Sequence, residues 1–357
     1  MKIGIIIWKL SFSGAENVAN ALINEFIKQG HEVEIILTAT KATKNSEVPV
    51  YDVVSNYNNK ILRIISRSVN IRKIVRKNKY DVVIGFGHID TIHMIRALMF
   101  TKIPKIGCER MDPISYPENN ILRYERKLMY KLLDGMILQT NAQKMYYEKF
   151  MKVPLVVIPN PVRDLGNEKV LVDNRNKEIV TVARLDDKQK NHTFLFNCFK
   201  EFVKEHEDYC LKLYGDGPDK KKYEDIIKSL KMENKIFLCG NVENPQKEIS
   251  SSCVFVLTSR HEGMPNALIE AMSIGLPCIA VDCGGGGVKD LIKNNDNGII
   301  IENHNEDEFV LALSKVVKNK ELQIKLGERA SQINKKLCVE FVAKKWIETF
   351  EIIRGGV

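Results

Sequence analysis

Two glutamates, Glu262 and Glu270, lie eight positions apart in the segment SRHEGMPNALIEAMSIGLPC. The apolar run before them predicts a buried strand, and Pro265 favours a helix that begins near Asn266, because its missing N–H is not needed in a first helical turn. Glu262 then lies in the loop and Glu270 on the helix. A helix N-terminus attracts anions, and Gly263 lets the backbone approach a ligand closely. Because carboxylates repel phosphates, we expect these two to accept hydrogen bonds from sugar hydroxyls beside a phosphate group.

Short Ile- and Val-rich runs alternate with helical patterns up to about residue 300, which predicts βαβ units and parallel sheets. The predicted strands are Lys2 to Trp8, Glu32 to Leu37, Asp81 to Phe86, Pro104 to Cys108, Gly135 to Leu138, Leu155 to Ile158, Ile179 to Ala183, Tyr209 to Tyr214, Lys235 to Cys239, Val254 to Thr258, Pro277 to Val281 and Gly298 to Ile301. The prolines of IPNPV and the polar stretch after them predict a linker. We therefore expect an N-terminal domain over residues 1–160 and a C-terminal one over 161–357, whose last helix could pack back on the first.

Length and composition agree with two folded domains. The chain has 357 residues, of which 44% are hydrophobic and 28% charged, and its net charge is +9. No apolar run has the roughly 18 residues of a membrane-spanning helix, and the N-terminal run is too short for a signal peptide. The eight cysteines show no Cys-x-x-Cys pair, which is typical of reduced cytoplasmic thiols. The positive charge predicts an acidic partner.

The segment EGMPNALIEAMSIGLPCIA resembles the retaining glycosyltransferases of family 4, in which a Glu, seven residues and a second Glu form the characteristic motif. The similarity also covers Gly263, Pro265 and Asn266. This resemblance implies the GT-B fold, in which the sheets of two Rossmann-like domains face each other across a cleft. It also implies that Glu262 positions the donor sugar, that Glu270 holds the ribose, and that the turn from Gly263 through Met264 to Asn266 holds phosphate and sugar oxygens.

Two other segments of the C-terminal half resemble the same family. VARLDDKQKN looks like the segment whose arginine and lysine neutralise the donor diphosphate, here Arg184 and Lys190, with Lys188 as the rival lysine. Fixed cations can stabilise the charge of a departing diphosphate, so no metal or other cofactor is expected. LCGNVENP falls where relatives contact the nucleobase, which assigns Asn241 and Val242 to donor binding. Surface cations and ordinary turns are the alternative interpretations.

The N-terminal half departs further from the family pattern. Relatives often carry Gly-Gly after the first strand, facing the diphosphate, and this chain keeps only Gly14. Many relatives place a histidine near the reactive centre where GCERMDP has Arg110. An arginine there cannot act as a base, but it could hold phosphate or sugar oxygens. His88 is a candidate for the acceptor side or an ordinary loop residue. The G-x-G-x-x-G pattern of a dinucleotide site is absent after the first strand, which argues against a dehydrogenase.

The segment Asn59 to Lys79 has eight Lys and Arg, no acid and an apolar stripe. It predicts either a helix lying on an anionic membrane surface or a core-packed helix with a solvated basic face. A second basic group follows, with Arg123, Arg126, Lys127 and Lys131. Nucleic acid is not expected, because interleaved aromatic residues and a recognition motif are missing.

Together these features predict a cytoplasmic enzyme at the inner face of the membrane. The resemblance implies transfer of a hexose or N-acetylhexosamine from a nucleotide sugar, with UDP favoured, to a polyprenyl-linked or growing glycan acceptor in capsule, O-antigen or related polysaccharide synthesis. Two alternatives remain open. One is a GT-B sugar-nucleotide 2-epimerase, and the other is a basic membrane-associated scaffold without enzymatic activity.

Overall fold

The computed structural model describes residues 1–10, 14–41, 48–55, 57–162, 175–302 and 304–356. The chain divides into two units, of which unit 1 is Met1–Arg163 with Val339–Val357 and unit 2 is Asp164–Cys338. The C-terminal helix therefore belongs to unit 1. Most of the polar stretch interpreted as a linker lies outside the described residues.

Unit 1 is built on a seven-stranded parallel sheet with the order β3-β2-β1-β4-β5-β6-β7. The strands are β1 Lys2–Ile7, β2 Glu32–Leu37, β3 Val50–Asp52, β4 Val82–Phe86, β5 Lys105–Cys108, β6 Gly135–Leu138 and β7 Leu155–Val157. The helices are α1 Gly14–Lys28, α2 Lys60–Asn78, α3 His88–Leu98, α4 Asn120–Met129, α5 Asn141–Tyr147 and the C-terminal α15 Val339–Gly355, with a 3₁₀ turn at Tyr130–Leu132.

Helix α15 completes the core of unit 1. The Trp346 ring stacks on Phe86 and lies at an angle to Phe26, with ring centroids 6.2 and 6.4 Å apart. At Gly135 on β6, an added Cβ would lie 2.2 Å from Ile353 Cδ1. A side chain at position 135 would therefore require the Ile353 side chain to move.

Unit 2 is built on a six-stranded parallel sheet with the order β10-β9-β8-β11-β12-β13. The strands are β8 Asn176–Val182, β9 Cys210–Tyr214, β10 Ile236–Gly240, β11 Ser252–Leu257, β12 Cys278–Val281 and β13 Ile299–Ile301. The helices are α6 Asp187–Lys190, α7 His192–Phe202, α8 Lys220–Ser229, α9 Pro245–Ile249, α10 Asn266–Ser273, α11 Gly287–Leu291, α12 Glu306–Lys318, α13 Lys320–Ser331 and α14 Ile333–Lys336. Phenylalanines of α7 pack with Phe309 of α12 in its core.

The predicted α/β class with two parallel sheets is confirmed, and each predicted strand is present with its ends shifted by a few residues. The prediction missed β3, which pairs with β2 at the edge of the first sheet. Three residues are too few to show an alternating or continuous apolar pattern. No helix of the described residues is long and apolar enough to cross a membrane.

Candidate active site

The loop after β8 carries Arg184, and two glycines of a neighbouring turn fix its backbone. A Cβ at Gly215 would lie 2.0 Å from the Ala183 carbonyl oxygen, and one at Gly217 would lie 2.4 Å from that of Leu185. The turn from Gly215 to Gly217 therefore packs closely against the backbone on both sides of Arg184. The Arg184 side chain itself is 65% exposed, and its guanidinium lies 3.9 Å from the Asp186 carboxylate.

Lys190 and Glu262 form an ion pair in unit 2. Lys190 Nζ lies 2.5 Å from Glu262 Oε1, and the two side chains are 17% and 10% exposed. Lys188, the rival lysine of the same loop, is exposed. The tertiary structure thus brings Lys190 to the first glutamate of the motif.

The Glu262 carboxylate is held by a neighbour that the sequence did not single out. The Ser259 hydroxyl donates a 2.7 Å hydrogen bond to Glu262 Oε1, the same oxygen that contacts Lys190. The backbone N–H of Glu262 donates to the Gly284 carbonyl at 3.0 Å. Neither side-chain contact uses Oε2, so this carboxylate can hold Lys190 through one oxygen and accept a hydroxyl through the other.

The turn between the two glutamates packs against a glycine run that was also missed. A Cβ at Gly287 would lie 2.1 Å from the Gly263 carbonyl oxygen and 2.7 Å from Pro265 Cδ. The run Gly284 to Gly287 follows β12, and Gly285 and Gly286 have φ angles of 93° and 77°, which favour glycine. Four successive glycines after a predicted strand were a signal for a close backbone contact.

Helix α10 begins at Asn266, as predicted. Pro265 is its N-cap and stands just before the first turn, with extended backbone angles. Met264 is buried, whereas Asn266 and Glu270 are half-buried.

Asn241 and Val242 lie in the loop after β10, the first exposed and the second half-buried. The Gly215 N–H donates to the Gly240 carbonyl at 2.8 Å, which joins this loop to the glycine turn beside Arg184.

Asp187 is the centre of a hydrogen-bond network that holds helix α6, which ends at Lys190. Its carboxylate accepts bonds from the Thr193 N–H and hydroxyl, both at 2.9 Å, from Lys222 Nζ at 2.8 Å and from the Tyr223 hydroxyl at 3.3 Å. Burial opposes ionisation, but the bonds from Lys222 and Thr193 outweigh it and lower the pKa of Asp187. We therefore expect Asp187 to position the two candidate cations, Arg184 and Lys190.

Replacing Asp187 with Asn is expected to raise the KM for the donor about tenfold, because a loop that is held less firmly no longer presents both cations. The loss should fall on KM more than on kcat, as measured by steady-state kinetics. Asp225→Asn makes the same charge change at an exposed position of α8 and should leave KM within about twofold. Equal effects of the two variants would contradict the positioning role.

The same variant has an expected pH signature. The pKa of Asp187 is lower in the folded chain than in the unfolded one, so its stabilising effect is present above the unfolded pKa of about 4 and is lost as pH falls through the folded value. The difference in Tm between wild type and Asp187→Asn should be full at neutral pH and shrink in acid.

In unit 1, the predicted residues follow the carboxyl ends of strands. Gly14 is the first residue of α1, and His88 is the first residue of α3, which corrects the interpretation of His88 as a loop residue. The His88 ring is buried, with Nδ1 3.2 Å from the Tyr130 hydroxyl. Burial, with the nearby Arg126 charge, lowers the pKa of His88 to about 4, so the ring is neutral at pH 7.

Arg110 lies at the end of β5. Its guanidinium stacks over the Phe86 ring at 4.6 Å, and Nη2 donates a 2.7 Å hydrogen bond to Asn160 Oδ1. Gln139 donates to the same oxygen. Burial lowers the pKa of Arg110 to about 10, so the side chain is a cation at neutral pH. These contacts hold Arg110 at the edge of the sheet where ligands of open α/β sheets bind.

Two family models match consecutive parts of the chain. The one described as Glycosyltransferase Family 4 matches residues 12–164, and the one described as Glycosyl transferases group 1 matches residues 163–333. Together they span most of both units.

The chain is also similar to curated proteins. A Campylobacter jejuni protein named GalNAc-alpha-(1->4)-GalNAc-alpha-(1->3)-diNAcBac-PP-undecaprenol alpha-1,4-N-acetyl-D-galactosaminyltransferase is 28% identical, and the match covers 100% of both chains. An Escherichia coli protein named UDP-Gal:alpha-D-GlcNAc-diphosphoundecaprenol alpha-1,3-galactosyltransferase is 27% identical over 74% of this chain and 73% of its own.

Solved structures share the fold. A TarM mutant from Staphylococcus aureus, solved with Fondaparinux, alpha-GlcNAc-glycerol and UDP, superposes with a TM-score of 0.82 at 17% identity, covering 98% of this chain and 99% of its own. Anabaena HepE in complex with UDP-glucose gives a TM-score of 0.82 at 16% identity, covering 98% and 99%. At such identities the likeness shows the fold alone.

Proposed function

The chain belongs to glycosyltransferase family 4 and has the GT-B fold, and from this premise we propose that it transfers a sugar from a UDP-linked donor. The sugar would be a hexose or N-acetylhexosamine, and the acceptor a polyprenyl-linked or growing glycan. The transfer would retain the configuration of the sugar. Two observations support the choice of a polyprenyl-linked acceptor and a UDP-linked donor. The Campylobacter jejuni and Escherichia coli relatives are named for acceptors linked to undecaprenol through a diphosphate. TarM and HepE were solved with UDP or UDP-glucose.

The observation that carries the proposal is the Lys190–Glu262 pair beside the N-terminus of α10. When the glycosidic bond to the diphosphate breaks, negative charge grows on the leaving group, and a preorganised cation stabilises that charge. Lys190 and Arg184 would supply it. Glu262 keeps Lys190 in place through Oε1 and would position the donor sugar through Oε2. Glu270 would accept a hydrogen bond from the ribose. The expectation that no metal is required stays a prediction.

Unit 1 would take the acceptor. Gly14 would face the donor diphosphate, and Arg110 would hold acceptor phosphate or sugar oxygens, because a cation with one fixed nitrogen can offer its other N–H groups to an oxyanion. His88 is buried and neutral, so an acceptor role for it requires contact through its Nε2 atom. The proposed place of the enzyme is the inner face of the cell membrane, in the synthesis of capsule, O-antigen or a related polysaccharide.

A thermal-shift screen against UDP, GDP and their sugars tests the donor, because a ligand that binds only the folded chain raises its Tm. We expect UDP and one UDP-sugar to raise Tm. In Glu270→Ala the shift should fall with folding preserved, whereas Glu328→Ala, an exposed helical glutamate of the same unit, should keep it.

Three results would count against the proposal. A shift with GDP alone would overturn the choice of UDP, and an unchanged shift in Glu270→Ala would overturn the ribose contact. Release of UDP from a donor with no glycosylated product would favour an epimerase.

A further inference from the structure

Helices α2, α3 and α4 cover one face of the seven-stranded sheet in unit 1. They connect β3 to β4, β4 to β5 and β5 to β6, which are crossovers in the same direction and therefore on the same side. An Arg67–His93 contact of 2.7 Å joins α2 to α3, and an Arg96–Glu125 ion pair joins α3 to α4. Helix α3 is therefore the buried central helix, and α2 and α4 flank it.

Both flanking helices turn large apolar side chains outward. On α2, Ile61 is 67% exposed and Ile65 is 53% exposed, and on α4, Ile121 is 77% exposed and Tyr124 is 65% exposed. Further exposed residues continue each stripe, namely Leu62 and Val69 on α2, Leu128 on α4 and Leu132 in the 3₁₀ turn that follows α4. The three- and four-residue spacings place the helical residues of each set on one side of their helix. We call these eight residues the lipid-docking face.

The charged residues around this face are mostly basic. Lys60, Arg63 and Lys73 are exposed on α2, which has no acid. Lys127 and Lys131 are exposed beside the stripe of α4, whose one acid, Glu125, is paired with Arg96. Two copies of this face would bring like charges together, which disfavours self-association. An anionic bilayer matches both the apolar stripes and the positive rim.

We propose that the lipid-docking face lies on an anionic lipid bilayer, with the apolar side chains of both α2 and α4 in the boundary between headgroups and acyl chains. The proposal extends the proposed function, because it states how the chain would reach a lipid-linked acceptor. It goes beyond the sequence expectation, in which the helix over Asn59 to Lys79 alone contacts the membrane, because helix α4 is an equal part of the face.

Several cations of the sequence pattern are engaged in contacts within unit 1. Arg72 Nη2 donates to the Met99 carbonyl at 2.8 Å, and Arg67 contacts His93. In the second basic group, Arg126 is fully buried, and Arg123 Nε donates to the Pro117 carbonyl at 2.6 Å. None of these four arginines is fully exposed. The exposed isoleucines and Tyr124 add apolar area, which compensates for the smaller number of exposed cations.

The position of the face also fits a lipid-linked substrate. Each of the three helices follows the carboxyl end of a strand, so their N-terminal turns, which carry Ile61 and Ile121, lie toward the edge of the sheet that carries His88 and Arg110. A headgroup held by Arg110 would thus be near the chain's own membrane contact.

Cosedimentation of the full chain with vesicles tests the proposal. The vesicles are phosphatidylcholine alone, or phosphatidylcholine with about one third phosphatidylglycerol. We expect binding to the anionic vesicles, weakened about tenfold or more by Ile61→Ser with Ile65→Ser, and equally by Ile121→Ser with Tyr124→Ser. Lys127→Gln with Lys131→Gln should weaken it less and remove part of its salt dependence.

Matched controls are available elsewhere on the chain. Phe100, just after the opposite end of α3, is 93% exposed, and Leu311 of unit 2 is 70% exposed, so Phe100→Ser and Leu311→Ser should bind vesicles like the wild type. Unchanged binding in the α4 double variant, or equal loss in the controls, would overturn the proposal. So would a lipid-free dimer, seen by analytical ultracentrifugation, that the α4 variant dissociates.

The UDP-induced rise in Tm separates this inference from the proposed function. The lipid-docking variants alter unit 1 surface residues, so each should keep the wild-type shift. Loss of vesicle binding with the UDP shift retained supports the face. A wild type that binds vesicles but shows no UDP shift would instead count against the proposed donor.

Discussion

A Lys190→Ala variant is expected to lose about 100-fold or more in kcat/KM, because removing one preorganised group that stabilises developing negative charge costs two to three orders of magnitude in rate. The structural reason is the place of this lysine. Its ammonium is held by Glu262 at 2.5 Å, and the loop around it is fixed by Asp187. A flexible surface lysine would have to be ordered in the transition state and would contribute less.

Lys188→Ala is the matched control, since it removes the same charge from the same short helix. We expect its kcat/KM to stay within about twofold of wild type, because its side chain is exposed. Both variants are assayed with the donor found by the thermal-shift screen, and their Tm values without ligand check that folding is preserved. A larger loss in Lys188→Ala than in Lys190→Ala would reverse the assignment.

Glu262 offers a second check on the same pair. If its carboxylate acts partly by holding Lys190, the effects of Lys190→Ala and Glu262→Gln should not add in the double variant, as is usual for residues in direct contact. Additive losses would mean that the two side chains act on separate parts of the donor.

An Arg126→Ala variant is expected to lower the free energy of unfolding of unit 1 by about 3–5 kcal/mol, because it leaves a buried charge without its partner. Arg126 lies 3.7 Å from Glu109, and both side chains are fully buried. Burial raises the pKa of Glu109, and the Arg126 charge opposes that rise. Arg126 also donates to the carbonyls of Tyr116 and Pro113 at 2.7 and 2.6 Å, so it ties the segment after Arg110 to α4.

Urea unfolding followed by circular dichroism measures this effect. Lys127→Ala, the exposed neighbour on the same helix, should change stability by less than about 0.5 kcal/mol. Adding Glu109→Gln to Arg126→Met should recover part of the loss, since neither partner then carries an unpaired charge. A loss in Arg126→Ala no larger than that in Lys127→Ala would show that the pair does not stabilise unit 1.

Much of the fold and part of the candidate site could be read from local patterns. Buried parallel strands are continuous apolar runs, so twelve of the thirteen strands were predicted, and only the edge strand Val50–Asp52 was too short to detect. The spacing of Glu262 and Glu270 around Pro265 was enough to place one in a loop and one on a helix, because the chemistry of a helix start is local. The family resemblance rested on the same residues.

The choice between like residues needed the tertiary structure. The resemblance assigned the lysine role to Lys190 but left Lys188 as a rival, and the tertiary structure adds the ion pair between Lys190 and Glu262. Arg126 looks like its basic neighbours, but it points into a buried network with Glu109, whereas Ile121 looks like a core residue and is exposed. A side chain's partners are set by residues far along the chain, so its burial and charge pairing cannot follow from its own segment. The sequence determined which residue types stand at the strand ends, and the tertiary structure decided which of them are held in place, which are buried and which face solvent.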